Sequence, residues 1–186
     1  MKKIIYFIDD LNYMGGAHIA TYNQIEYFLS TEDYQISVAS SANPPQHLVK
    51  KFPAVNFINI KILGNEKTYK LISTKVKEVL CSPSFSFIDK IKKLYMSIYY
   101  RIYGHSKTIL KFISFEKNKQ EILSLISSYD VVCVPFENSQ YRDLVAGSKC
   151  KRKIQWIHID YIVWKNINEA THEVSKNDKE RYKYFD

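Results

Sequence analysis

Three groups of polar residues, each following an apolar run, have the types and spacing to build a ligand site. The first is Asp9, Asp10, Asn12 and the pair Gly15-Gly16, after the run at 4–8. The second is Glu137-Asn138, after the run at 131–134. The third is His158, Asp160 and Tyr161, at the end of the run at 153–159. Glycines that open a helix let backbone N–H groups approach a ligand, and the helix N-terminus favours an anion. The same glycines also serve a tight strand-to-helix connection. The run Met14-Gly15-Gly16-Ala17-His18-Ile19 is neither the nicotinamide fingerprint nor a P-loop, which needs GK[ST]. His158 is the candidate catalytic group. Asp160, two residues on, shares its face if the strand continues and could orient the imidazole. The bland alternative is a satisfied histidine at a strand end. His18, in the first turn of the first helix, has a weaker version of the same claim. Glu137 could act as a base or a hydroxyl ligand, or be a helix-start carboxylate facing the dipole.

The elements that must position these residues read as an alternation of strands and helices. Residues 4–8 form a short continuous apolar run, the pattern of a strand buried on both faces. Apolar positions Ile19, Tyr22, Ile25, Phe28 and Leu29 then predict a helix over 17–30. Strands are expected at 34–40, 56–62, 131–134 and 153–159. Helices are expected at 46–51, 118–128 and 139–147. The stretch from 62 to about 115 turns helical, interrupted at Ser82-Pro83-Ser84, and a polar, helical tail follows Asn166. This order predicts an α/β fold, a doubly wound parallel sheet of five or six strands with helices on both faces. In such a sheet ligands lie beyond the carboxyl ends of the strands, at the switch point. That rule brings all three polar groups to one crevice.

Composition narrows the classes. The chain has 186 residues, enough for one domain with a real core. Its net charge is +8 and it carries 15 tyrosines. A basic balance fits an anionic partner or a solvated lysine-rich surface. No nucleic-acid motif accompanies the charge, so nucleic acid is not the expected partner. The three scattered cysteines fit neither a disulfide framework nor a zinc site, and no metal is expected. Cys133 reads as a small core residue. A reducing, cytoplasmic location follows. The N-terminal apolar run is too short for a signal peptide, and no stretch reaches the roughly 18 apolar residues of a membrane span.

Residues 85–113 form the other distinctive feature. Ile88, Ile91, Tyr95, Ile98 and Ile102 follow helical spacing, with Lys90, Lys92, Lys93 and Arg101 on the rest of the wheel. The expected arrangement is a helix packing this stripe on the sheet. The alternative is an amphipathic helix lying in a membrane interface, with Tyr99, Tyr100, Tyr103, Lys107 and Lys111 beside it.

The opening segment, IIYFIDDLNYMGGAHIATYNQIEYFLS, resembles the start of retaining family-4 glycosyltransferases of GT-B architecture. Those begin with a strand, a polar loop ending in Gly-Gly-Ala, and a helix. YDVVCVPFENSQYRDLVAG and KRKIQWIHIDY are similar to that family's fourth and fifth strands with their loops. The middle, about 62–115, is not distinctive. The resemblance implies two Rossmann-like domains, of which residues 1–186 would be the N-terminal, acceptor-side one, with the donor-binding domain absent. It implies a hexosyl-type transferase of surface polysaccharide or glycoconjugate biosynthesis, not competent for transfer as this piece alone. By resemblance, His158 would lie near the transferred sugar, binding it or stabilising the transition state. Gly15 and Gly16 would face the donor phosphates or the acceptor. Asn12, Glu137, Asn138, Asp160 and Tyr161 complete the expected substrate-binding set. No cofactor is expected to be tightly bound; a nucleotide-sugar is the co-substrate. The expected partners are a sugar or lipid-linked glycan acceptor, the donor-side domain and an anionic membrane surface at the inner face of the membrane. The competing reading is a non-enzymatic membrane- or protein-binding module that uses the basic, tyrosine-rich helices.

Overall fold

The computed structural model describes residues 1–136, 139–156 and 183–185. Five strands form one parallel sheet: β1 (Lys2–Phe7), β2 (Tyr34–Ser40), β3 (Asn56–Asn59), β6 (Val131–Val134) and β7 (Arg152–Gln155). Their spatial order is β3-β2-β1-β6-β7. The chain winds outward from β1 to β3, then crosses back to β6 on the other side of β1. The switch point therefore lies between β1 and β6, where Ile4, Ile5 and Tyr6 pair with Val131, Val132 and Cys133.

Strand periodicity explains why both faces are covered. Side chains alternate along a strand, so Ile4, Tyr6 and Ile8 join one core and Ile5 and Phe7 the other. The first core takes Tyr22 and Ile25 from α1 (Gly16–Ser30) and Leu48 from α2 (Gln46–Lys51). The second takes Ile122 and Ile126 from α7 (Lys119–Ser127), and Leu144 and Val145 from α8 (Arg142–Ala146). This is a Rossmann-like, doubly wound α/β fold. Cys133 lies inside the first core, and burial pushes its thiol up to about 12. Two tyrosine hydroxyls in the second core are paired: Tyr129 donates to Ser37 Oγ at 2.9 Å and Tyr141 to the Ile60 carbonyl at 3.0 Å.

Two boundaries differ from the sequence reading for local reasons. The strand expected over 56–62 stops at Asn59, opposite Ser40, the last paired residue of β2. The Ile60 N–H still reaches the Ser40 carbonyl at 2.7 Å, after which β4 (Ile62–Leu63) pairs antiparallel with β5 (Ser114–Phe115) instead. The helix expected from 139 begins at Arg142. Ser139 Oγ accepts from the Tyr141 N–H at 3.1 Å, and the Arg142 N–H reaches Ser139 O at 3.2 Å, so a turn precedes the helix. The expected strand beyond 156 and the expected tail helix fall outside the described residues, apart from 183–185.

The β4–β5 ribbon is the neck of a helical insertion. Between its strands run α3 (Asn65–Ser73), α4 (Val76–Cys81), α5 (Phe87–Tyr103) and α6 (His105–Phe112). The interruption expected near Ser82-Pro83-Ser84 separates α4 from α5. The insertion has its own small core of Leu71, Val79 and Met96. Here the expected packing of the α5 stripe is overturned. Ile88, Ile91, Tyr95, Ile98 and Ile102 are exposed. The buried side of α5 carries Asp89, Lys93 and Met96, facing α3, α4 and α6. That side can be buried because each charge has a partner. Asp89 meets Ser86 in a capping box and Lys67 at 2.9 Å, which together hold its carboxyl below the usual range. Lys93 Nζ donates to the Leu71 and Ile72 carbonyls at 2.8 and 3.1 Å. Among the described residues no helix is long and apolar enough to cross a membrane.

Candidate functional site

The rim at the carboxyl ends of β1 and β6 gathers one of the three expected groups within the described residues. Asn12, Gly15 and Gly16 lie together in the loop from β1 into α1. The loop is shaped by its own side chains: the Asn12 N–H donates to Asp10 Oδ1 at 2.8 Å, an Asx-type turn. Asn12 and Gly16 are exposed. Gly15 is the N-cap of α1, with no side-chain cap and no acidic residue in the first turn. An N-terminus without carboxylates keeps its partial positive charge for an outside anion. The two glycines differ. A Cβ on Gly15 would come within 2.8 Å of the Tyr13 ring, whereas one on Gly16 would meet nothing within 4 Å.

Glu137, Asn138, His158, Asp160 and Tyr161 lie outside the described residues. Their flanks are described. Phe136 ends the β6 side of the rim, and the Trp156 N–H bonds to Val134 O at 3.2 Å, carrying the β7 pairing one residue further.

The structure brings to this rim a histidine that the sequence ranked lower. His18 is 8% exposed, and its ring packs against Phe136 with centroids 4.4 Å apart and edge-on to Tyr13 at 5.2 Å. Its Nε2 lies 3.1 Å from the Asp10 carbonyl. A carbonyl can only accept, so Nε2 carries the proton. Desolvation lowers the imidazole below its ordinary 6.5, outweighing the Asp10 carbonyl and the Asp10 charge, which both raise it. The ring is thus neutral at neutral pH, with Nδ1 as a hydrogen-bond acceptor. Nδ1 is buried and has no partner among the described residues, and the same holds for Tyr22 Oη. Burial, aided by the Asp10 charge, pushes the Tyr22 phenol up to about 12, so it stays a donor. To solvent the rim therefore offers exposed Asn12 and uncapped backbone amides, while the neutral His18 imidazole and the Tyr22 phenol lie buried behind them. The exposed amides suit an anionic group, and the Asn12 side-chain amide suits a neighbouring hydroxyl.

Sequence reasoning placed Asp9 in the first polar group but missed its partners Ser139, Gln140, Ser40 and Ser41, which close the rim across the switch point. Half-buried Asp9 accepts from the Gln140 backbone N–H at 3.0 Å and from the Ser139 hydroxyl. Desolvation nevertheless holds its carboxyl above the ordinary value of 3.8. Ser40 and Ser41, at the end of β2, reach the Asp9 carbonyl at 3.4 Å each. The readable signal was serine and glutamine directly after strands; their convergence depends on strand order, which a sequence does not print.

No protein family, curated protein or solved structure matches the chain.

Proposed function

We propose that the chain is the acceptor-side half of a nucleotide-sugar-dependent glycosyltransferase of hexosyl type, working in surface polysaccharide or glycoconjugate synthesis. The observation that carries this reading is the uncapped N-terminus of α1, opening at the switch point with free space over Gly16. Backbone amides there suit a phosphate, of the donor or of a lipid-linked acceptor. Exposed Asn12 supplies the amide chemistry that sugar hydroxyls accept, with His18 packed directly beneath the loop. The resemblance of the Gly15-Gly16-Ala17 loop to family-4 glycosyltransferases supports the same reading. Through that resemblance alone His158 is the residue beside the transferred sugar, binding it or stabilising the developing charge. In this reading a second domain holds the nucleotide, and closure of the two halves brings donor and acceptor together.

The experiment compares membranes and cytosol from cells with and without the intact gene. Each is supplied in turn with radiolabelled uridine-, guanosine-, adenosine- and thymidine-diphosphate hexoses. The expected result is gene-dependent label in a lipid-linked or polymeric glycan, reduced by His158→Ala with expression unchanged. Equal incorporation with and without the gene, for every donor, would sink the reading.

A further inference from the structure

An amphipathic helix normally buries its apolar side; α5 does the reverse. Phe87, Ile88, Ile98 and Ile102 are 76, 74, 59 and 64% exposed, and Ile91, Leu94 and Tyr95 accompany them. At 3.6 residues per turn these seven side chains share a sector about 120° wide, along a helix about 25 Å long. Monomeric proteins rarely show water an apolar strip of this extent without a partner for it.

We propose that this face of α5 docks on an anionic phospholipid bilayer, the helix lying in the plane of the headgroups. The proposal stands whether or not the chain belongs to a glycosyltransferase.

Charge selects the occupant. On the helical wheel Lys90 and Arg101 fall along one edge of the apolar sector and Lys92 along the other. Lys107 and Lys111 follow on α6. Asp89 is the sole carboxylate between residues 87 and 112, and it is turned inward onto Ser86 and Lys67. Lys93 is likewise engaged inward. What remains is an apolar strip framed by cations alone. Aliphatic side chains enter the acyl boundary while flanking Lys and Arg stems carry their charges up to phosphate.

The aromatics are arranged for the same zone. Tyr95, Tyr99 and Tyr103 form a ladder with ring centroids 6.4 and 4.4 Å apart, and Lys111 Nζ lies 5.5 Å from the Tyr99 ring centroid. Tyrosines are favoured at headgroup level, where the ring is apolar and the hydroxyl wet. Other occupants fit less well. A second copy would bring two cationic frames together with no carboxylate between them. Nucleic acid would match the cations and leave the isoleucines against water.

The test is co-sedimentation of the full chain with vesicles of phosphatidylcholine alone, and of phosphatidylcholine mixed with phosphatidylglycerol, at low and high salt. Binding to the mixed vesicles is expected, weakened by salt and by omitting the anionic lipid. Ile91→Ser combined with Ile98→Ser should weaken it by more than about tenfold. Lys90→Gln combined with Arg101→Gln should weaken it by about fivefold per charge. Thermal midpoints are measured alongside; if the first pair unfolds, Ile88→Ser with Ile102→Ser replaces it. No binding to mixed vesicles at low salt overturns the proposal. So does unchanged binding by a folded isoleucine variant. Self-association in sedimentation velocity that the same serines abolish overturns it as well, in favour of a second copy.

Discussion

The Asp9 carboxylate accepts a hydrogen bond from the Gln140 backbone N–H at 3.0 Å, across 131 positions of sequence. The contact bridges the switch point, joining the loop after β1 to the loop after β6. It makes the rim one structure instead of two adjacent loops.

Its energetics are readable by pH. Desolvation raises the folded-state value of Asp9 above 3.8, so the folded state holds this proton more tightly than the unfolded chain does. The stabilisation from the bound proton is complete below 3.8 and is lost as pH rises through the folded value. Asp9→Asn keeps an oxygen for the Gln140 N–H and carries no charge to desolvate. The variant should therefore gain on the wild type as pH moves from below 3.8 to neutrality, measured as the difference in urea midpoints. Asp9→Ala removes the acceptor and should cost about 1–3 kcal/mol at neutral pH. A difference between Asn and wild type that is flat with pH contradicts the assignment.

Gly15 and Gly16 should separate stability from function. A methyl on Gly16 enters open space at the start of α1, so Gly16→Ala should preserve or raise stability, by up to about 1 kcal/mol. A methyl on Gly15 meets the Tyr13 ring at 2.8 Å and puts a poor residue at an N-cap. Gly15→Ala should lower stability by about 0.5–1 kcal/mol. If the open space is where a phosphate or sugar sits, Gly16→Ala abolishes glycan labelling while its melting temperature holds. A stable, fully active Gly16→Ala protein places the ligand elsewhere.

The fold was legible because β1 and β6 are continuous β-rich apolar runs, β2 alternates through Ile36 and Val38, and helical periodicity separates them; that order has few solutions. The rim was half legible. The Gly15-Gly16 turn declares itself, whereas the convergence of Asp9 with Ser139 and Gln140 depends on strand order. The α5 stripe was seen with the correct spacing and assigned the wrong neighbour. Periodicity shows which side of a helix is apolar; what that side faces depends on the other elements. Here α3, α4 and α6 take the opposite side, because backbone carbonyls and Lys67 satisfy Lys93 and Asp89. A lysine at a buried position reads in sequence as a solvated one.

Lys93 is accordingly a structural lysine. Its ammonium tethers α5 to the C-terminal turn of α3 through the Leu71 and Ile72 carbonyls, which helix geometry leaves without intrahelical donors. Lys93→Met keeps much of the side-chain volume and removes both bonds. It should cost about 1–3 kcal/mol. The loss should be local, since the insertion has its own small core. Amide hydrogen exchange should accelerate in α3 and α5 before β1 and β6. Lys92→Met, on the outer side, should stay within about 0.5 kcal/mol of wild type. Equal effects at 92 and 93 would mean that the tether carries no stability.

The insertion is also seated on the main fold, and Gly147 is the seat. Its φ of −78° suits any residue, so the objection to a side chain there is contact alone. A Cβ on Gly147 would lie 2.5 Å from Leu110 Cδ2, the point where α6 meets the end of α8. The atom met is the free end of the Leu110 side chain, so Gly147→Ala should cost about 1 kcal/mol, the low end of overpacking. Leu110→Ala leaves a gap that the new methyl partly fills, so the double variant should recover more than about 0.5 kcal/mol over additivity. The coupling is measured by a double-mutant cycle in urea. Additive losses would mean that the Leu110 side chain turns aside at no cost, and that this contact does not hold α6 against α8.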